Sequence, residues 1–212
     1  MTKKSDYKNI VRHYESCLER HGDTHKGVDW PNEKDAYTRY KVMLDVIKEE
    51  NEKTNLLDFG CGAAHMLSYM QKNPELYKNI NYSGADLSSK FIDLSRKKFP
   101  KTDFYCIDLL EDELSEVPNF DYAILNGVFT EKQDLTFDEM WLFFKKMILA
   151  IFEKVDKGIA FNVMSKDVDW ERDDLFHLSL DLLTDFLTQE LSRDFIIRND
   201  YGLYEYTVYL YK

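Results

Sequence analysis

LLDFGCGAAHML, residues 56–67, is the stretch that decides the fold. An apolar run enters an Asp and stops at a glycine. Glycines stand at positions 60 and 62, and a helical pattern begins just beyond the second. A buried strand that turns tightly into a helix is the opening unit of an open parallel sheet, and the turn is where such a sheet contacts a ligand. Gly60 and Gly62 permit the turn and let a ligand approach the backbone with no Cβ in the way. A third glycine is replaced by Ala64. The bulky His65 stands where a dinucleotide-binding turn requires a small residue for close packing of helix on strand.

Working outward, strands and helices alternate. NLLDFG, INYSGADL, DFYCIDLL, FDYAILNG and GIAFNVMS read as strands; AAHMLSYMQKN, SSKFIDLSRKKF, residues 137–155 and DLLTDFLTQEL read as helices. Alternation of this kind implies a parallel sheet covered on both faces. FIIRND and YEYTVYLYK are separated by little more than Tyr201-Gly202, which leaves no room for a crossover helix, so they should pair antiparallel. The predicted fold class is α/β: a three-layer open sheet of about seven strands, mostly parallel with a reversed last strand, and helices on both faces. Upstream, a helix is expected over residues 6–20, then an irregular loop, HGDTHKGVDWP, punctuated by Gly22, Gly27 and Pro31. From Ala36 to about Glu50, Tyr40, Met43, Leu44 and Ile47 fall on one buried helical face. Residues 1–35 therefore read as an N-terminal helix and lid-like loop, and residues 36–212 as the ligand-binding part of one structural domain.

Composition narrows the function classes. A chain of 212 residues with 44% hydrophobic content can bury one full core. A net charge of −11 disfavours nucleic acid and anionic membrane as partners. Cys17, Cys61 and Cys106 are scattered, which suits reduced thiols in the cytoplasm. No apolar leader or membrane-length run is visible. Of the histidines, only His21 and His25 share a ligand-like spacing, and Gly22 lies between them in a loop, so no metal is expected.

The strand ends carry the chemistry. Asp86 follows the second strand, Asp108 the third and Asn126 the fourth. An acid after the second strand is placed to accept from ribose hydroxyls. Together with Leu56, Leu57, Asp58, Gly60 and Gly62, this ordered set resembles the class I S-adenosylmethionine (SAM)-dependent methyltransferases, whose reversed last strand also separates them from nicotinamide-binding folds. HGDTHKGVDW and NDYGLYEYTVYLYK are similar to small stand-alone bacterial members. The resemblance implies SAM as cofactor and S-adenosylhomocysteine (SAH) as product. It implies that Asp58, Gly60, Cys61 and Gly62 meet the methionine part, Asp86 the ribose and Asp108 the adenine amino group. Leu87 and Leu109 join the cofactor site, Asn126 lies near the transferred methyl, and Arg39 faces the methionine carboxylate.

Methyl transfer mainly needs alignment and exclusion of water, with a base only if the acceptor must lose a proton. The expected acceptor is an oxygen or nitrogen of a small molecule, handled by a monomer or homodimer. His21, His25 and Asn126 are the candidate catalytic residues. Tyr14, Trp30, Phe129, Trp170, Arg172 and His177 are the candidate substrate contacts, drawn from three segments able to cover the pocket. The alternative is a SAM-binding partner or regulatory protein without turnover, because binding and catalytic residues are separable.

Overall fold

The computed structural model describes residues 7–48, 51–112 and 117–212. Two helical pieces come first: α1 (Lys8–His21) and a 3-10 turn (His25–Val28). Helix α2 (Glu33–Leu44) follows, then β1 (Thr54–Phe59), α3 (His65–Lys72), α4 (Pro74–Tyr77), β2 (Ile80–Asp86), α5 (Ser89–Lys98) and β3 (Phe104–Cys106). The second half runs β4 (Phe120–Phe129), α6 (Phe137–Glu153), β5 (Val155–Ser165), β6 (His177–Leu178), α7 (Leu180–Glu190), β7 (Phe195–Arg198) and β8 (Glu205–Tyr211).

The strands form one sheet in the order β3-β2-β1-β4-β5-β8-β7, with β6 pairing β5 off this path. Strands β1 to β5 pair parallel; β8 alone runs against its neighbours β5 and β7. The reversed last strand and the antiparallel β7–β8 pair are as the short Tyr201-Gly202 connection requires. Alternation fixes the two faces. Leu57, Ala123 and Leu125 point into one core with α6 and α7, while Leu56, Tyr122 and Ile124 point into the other with α2 and α3. Local signals set the helix starts. Thr136 and Glu139 close a capping box on α6, and Ser88 caps α5.

Three expectations on elements change. Helix α2 spans Glu33–Leu44, starting earlier and stopping sooner than residues 36–50. The Asn32 side chain caps it by accepting from the Lys34 N–H, and residues 49–50 lie outside the described ones. Strand β3 is only Phe104–Cys106. Just after it the Asp108 carboxylate accepts from the Leu110 N–H, and Asp112 accepts from the Asp108 N–H, folding the chain into a turn. Strand β4 does not end at Asn126 but runs to Phe129 with a bulge: Leu125 pairs Phe161 and Phe129 pairs Val163, so three residues oppose one. The short α4 and β6 were not foreseen.

Candidate active site

The loop after β1 is built from left-handed backbone. Gly60, Gly62 and Ala64 have φ of +76°, +51° and +53°, which explains the glycines and makes Ala64 a mildly strained substitute. The N–H groups of Gly60 and Cys61 both bond the Ala85 carbonyl at the end of β2, at 2.8 and 3.0 Å. The Gly62 N–H donates to Asp86 Oδ2 at 2.9 Å, and the Ser88 N–H to Asp86 Oδ1 at 2.8 Å. Asp86 is thereby fixed in orientation, with lone pairs left to accept more. Burial raises its pKa.

Asp58 is 3% exposed and sits below this loop, accepting from Tyr82 Oη at 2.6 Å. Burial, opposed by that bond and reinforced by the Asp86 charge, pushes its pKa up to about 7. A carboxyl whose folded pKa is raised favours the folded state while protonated, and that stability is lost as pH rises from about 4 through about 7. Denaturant titrations of the ligand-free protein should therefore show a loss of about 4 kcal/mol across this window that Asp58→Asn removes. An unchanged pH slope in the variant would refute the assignment.

These groups line a cavity of about 1100 Å³, counting space open to solvent. Asp58, Gly60, Cys61, Gly62, Asp86, Leu87, Asp108, Leu109 and Asn126 all border it, as do Tyr14 and Trp30. The β4 bulge puts Asn126, Gly127 and Val128 on its wall. Asn126 Oδ1 is buried with no hydrogen-bond partner among the described residues. An unmatched buried acceptor costs about 1–3 kcal/mol, so it marks a place for a donor from a ligand.

Helix α1 forms the roof. Tyr7, Ile10, Val11 and Tyr14, spaced on one helical face, line the cavity. Tyr7 Oη donates to Asp108 Oδ2 at 2.7 Å, Ser88 Oγ donates to Glu15 at 2.6 Å, and Tyr14 Oη donates to the Gly127 carbonyl at 3.3 Å. His65 points outward to this cover: its Nε2 lies 2.7 Å from Asp23, which also takes Lys98 at 2.9 Å. That is why a bulky residue fits at the start of α3.

Several expected site residues lie elsewhere. Arg39 does not border the cavity. Its guanidinium is bound by both oxygens of Glu205, at 2.7–2.9 Å, and stacks 4.1 Å over the Trp30 ring. Glu205 is 1% exposed and also accepts from Asn162 Nδ2 at 2.9 Å, while Asn162 Oδ1 accepts from the Gly127 N–H at 2.7 Å. The chain Arg39–Glu205–Asn162 thus ties Trp30 and the bulge to the sheet. Phe129 is fully buried against Phe144 and Phe161, turned into the core by the bulge. His177 is buried, with Nδ1 2.6 Å from the Ser165 carbonyl and Nε2 accepting from the Arg172 N–H at 3.2 Å. It shapes the loop after β5. Trp170 is 69% exposed, and Arg172 is exposed and paired with Asp174. His21 is exposed and His25 half-buried, and both lie outside the cavity wall, whose α1 residues are Tyr7, Ile10, Val11 and Tyr14.

Sequence reading missed Ile10, Val11, Val28, Phe143 and Met147 on the wall, and the Asn162–Glu205 pair behind it. The spacing of positions 7, 10, 11 and 14 was available as a signal. So were the lone polar residues in GIAFNVMS and YEYTVYLYK.

A family model described as a methyltransferase domain matches residues 57–144, from β1 into α6. The resemblance to the class I SAM-dependent methyltransferases holds. The fold is the Rossmann-like one of methyltransferase structures that hold SAM or SAH. A Mycobacterium tuberculosis protein provisionally named as a methyltransferase is 26% identical over 161 residues, covering 73% of this chain and 91% of that protein. Among solved structures, the magnesium protoporphyrin IX methyltransferase of Synechocystis with bound SAM aligns at TM-score 0.66 and 16% identity, over 100% of both chains. The N-methyltransferase NodS of Bradyrhizobium japonicum with bound SAH aligns at 0.63 and 14%, over 96% of this chain and 98% of that one. At such identities the likeness is one of fold. Among the described residues, no helix is long and apolar enough to cross a membrane.

Proposed function

We propose that this protein is a SAM-dependent methyltransferase whose acceptor is a small molecule, methylated on oxygen or nitrogen beneath the α1 cover. The observation that carries the reading is the unpartnered Oδ1 of Asn126, a wall residue of the cavity that Asp58, Asp86 and Asp108 also line. The Gly60 and Gly62 positions, where side chains would intrude, suit the methionine part of the cofactor. Asp86 accepts from the ribose hydroxyls. Asp108, already bonded by Tyr7, borders the adenine and ties the cover to it.

SAM supplies an activated methyl on a sulfonium: the acceptor's lone pair forms the new bond to carbon, the carbon–sulfur bond breaks, and its electrons leave on sulfur as neutral SAH. The chain's own share is alignment and dryness. Asn126 accepts a hydrogen bond from the acceptor's N–H or O–H and so points its lone pair at the methyl. Val28, Trp30 and Tyr14 close the space above, shutting out water. With His21 and His25 outside the cavity wall, the acceptor's proton passes to solvent on opening.

The reading is tested by incubating the protein with methyl-labelled SAM and pooled metabolites carrying hydroxyl or amine groups. Labelled product should appear, and Asn126→Ala should lower its rate. Absence of transfer to any pool, with SAM bound, would favour a binding protein without turnover. For the cofactor contact, Asp86→Ala should weaken SAM by about 2–3 kcal/mol, the scale for hydrogen bonds to a charged group. Calorimetry giving unchanged affinity would remove Asp86 from the ribose.

A further inference from the structure

His13, Cys17 and Asp29 converge where α1 meets the 3-10 turn. Each offers one ligand atom, and the three atoms lie within 4.8 Å of one another. His13 Nε2 is 2.7 Å from Asp29 Oδ2 and 3.8 Å from Cys17 Sγ. His13 and Cys17 are one turn apart on one face of α1, so their spacing is held by the helix. Asp29 is held from the other side. It sits in left-handed backbone at φ +57°, its N–H bonded to Lys26, and the next N–H, of Trp30, bonded to His25.

We propose that these three side chains form a binding site for a divalent transition-metal ion of the zinc class. Thiolate, imidazole and carboxylate together select zinc or cobalt over magnesium or calcium, which prefer oxygen alone. Metal–nitrogen and metal–sulfur bonds of roughly 2.1 and 2.3 Å set tetrahedral edges of about 3.4–3.6 Å between donors. The sulfur–nitrogen distance is within a few tenths of an ångström of this. The nitrogen–oxygen distance must open by about 0.6 Å, a small rotation of the Asp29 carboxylate, which is part-exposed. The fourth position falls to water.

Arg20 already brings a cation here: its Nη2 lies 3.2 Å from Cys17 Sγ. Being exposed, it can swing away when a metal enters. A bound ion would bolt α1 to the turn bearing Val28 and Trp30, so that the two halves of the cover move as one piece. This inference is independent of the ligand in the main cavity.

Reduced full-length protein, free of SAM, is titrated with cobalt(II) and followed by absorbance, then back-titrated with zinc(II). One equivalent should bind and give a thiolate-to-cobalt charge-transfer band, and zinc should abolish the band. Cys17→Ala should eliminate it, and Asp29→Asn, which keeps the left-handed backbone accessible, should weaken binding at least tenfold. Arg20→Ala should tighten binding. Cys106→Ser and His25→Ala should leave it unchanged. No band in the natural sequence, or the same band in Cys17→Ala, would overturn the proposal.

Discussion

Replacing Gly62 by Val should abolish SAM binding, lowering affinity more than a hundredfold while the fold persists. Two effects add. The backbone at Gly62 has φ +51°, and a β-branched residue there is strained by about 1–2 kcal/mol. A Cβ at this position would stand 3.3 Å from Val28 Cγ1, so the γ-methyls are pressed between the cover and the cavity. The Gly62 N–H also orients Asp86, so a shifted backbone would displace the ribose acceptor too. Gly202→Val is the control: its φ is +75°, but a Cβ there meets nothing within 4 Å. It should lose stability and keep affinity. Normal calorimetric binding by Gly62→Val would place the cofactor elsewhere.

Arg39→Ala should cost about 3–5 kcal/mol of unfolding free energy, because it leaves Glu205 as a buried charge without its cation. The pair is shielded, with Arg39 12% and Glu205 1% exposed, so solvent cannot compensate as it does at a surface salt bridge. Trp30 would also lose the guanidinium stacked on it. Converting both partners should be milder than removing one. Arg39→Met with Glu205→Gln keeps an acceptor for Asn162 and removes both charges, so it should recover at least half of the loss. Denaturant unfolding decides the matter: a cost below about 1 kcal/mol for Arg39→Ala would mean that water already relaxes the site.

The legible parts of this protein were those governed by local rules. The β1 loop and the alternation of β1 to β5 follow from backbone sterics and burial, which act over a few residues. The β7–β8 pair follows from chain length alone. The acids at the strand ends were readable because a parallel sheet brings all its carboxyl ends to one edge. What failed depended on distant partners. Arg39 reads as a partner for the methionine carboxylate until Glu205, far along the chain on β8, closes on it. Phe129 reads as a site residue because the bulge that turns it inward depends on the β5 register and on Asn162. Trp170 and Arg172 sit in a long loop whose position is set by His177, at the start of β6, bonding to the Ser165 carbonyl, a contact with no sequence period. His21 and His25 were singled out for their chemistry. The wall-forming residues of α1 are instead tyrosines and aliphatics, chosen by the face the helix buries.

The central claim is that the cavity under α1 is a SAM site. Isothermal calorimetry of the purified protein with SAM, SAH and NAD tests it most directly. One-to-one binding of SAM and SAH is expected, lost in Gly62→Val, with no heat from NAD. Binding of NAD in place of SAM, or SAM affinity indifferent to Gly62→Val, would contradict it.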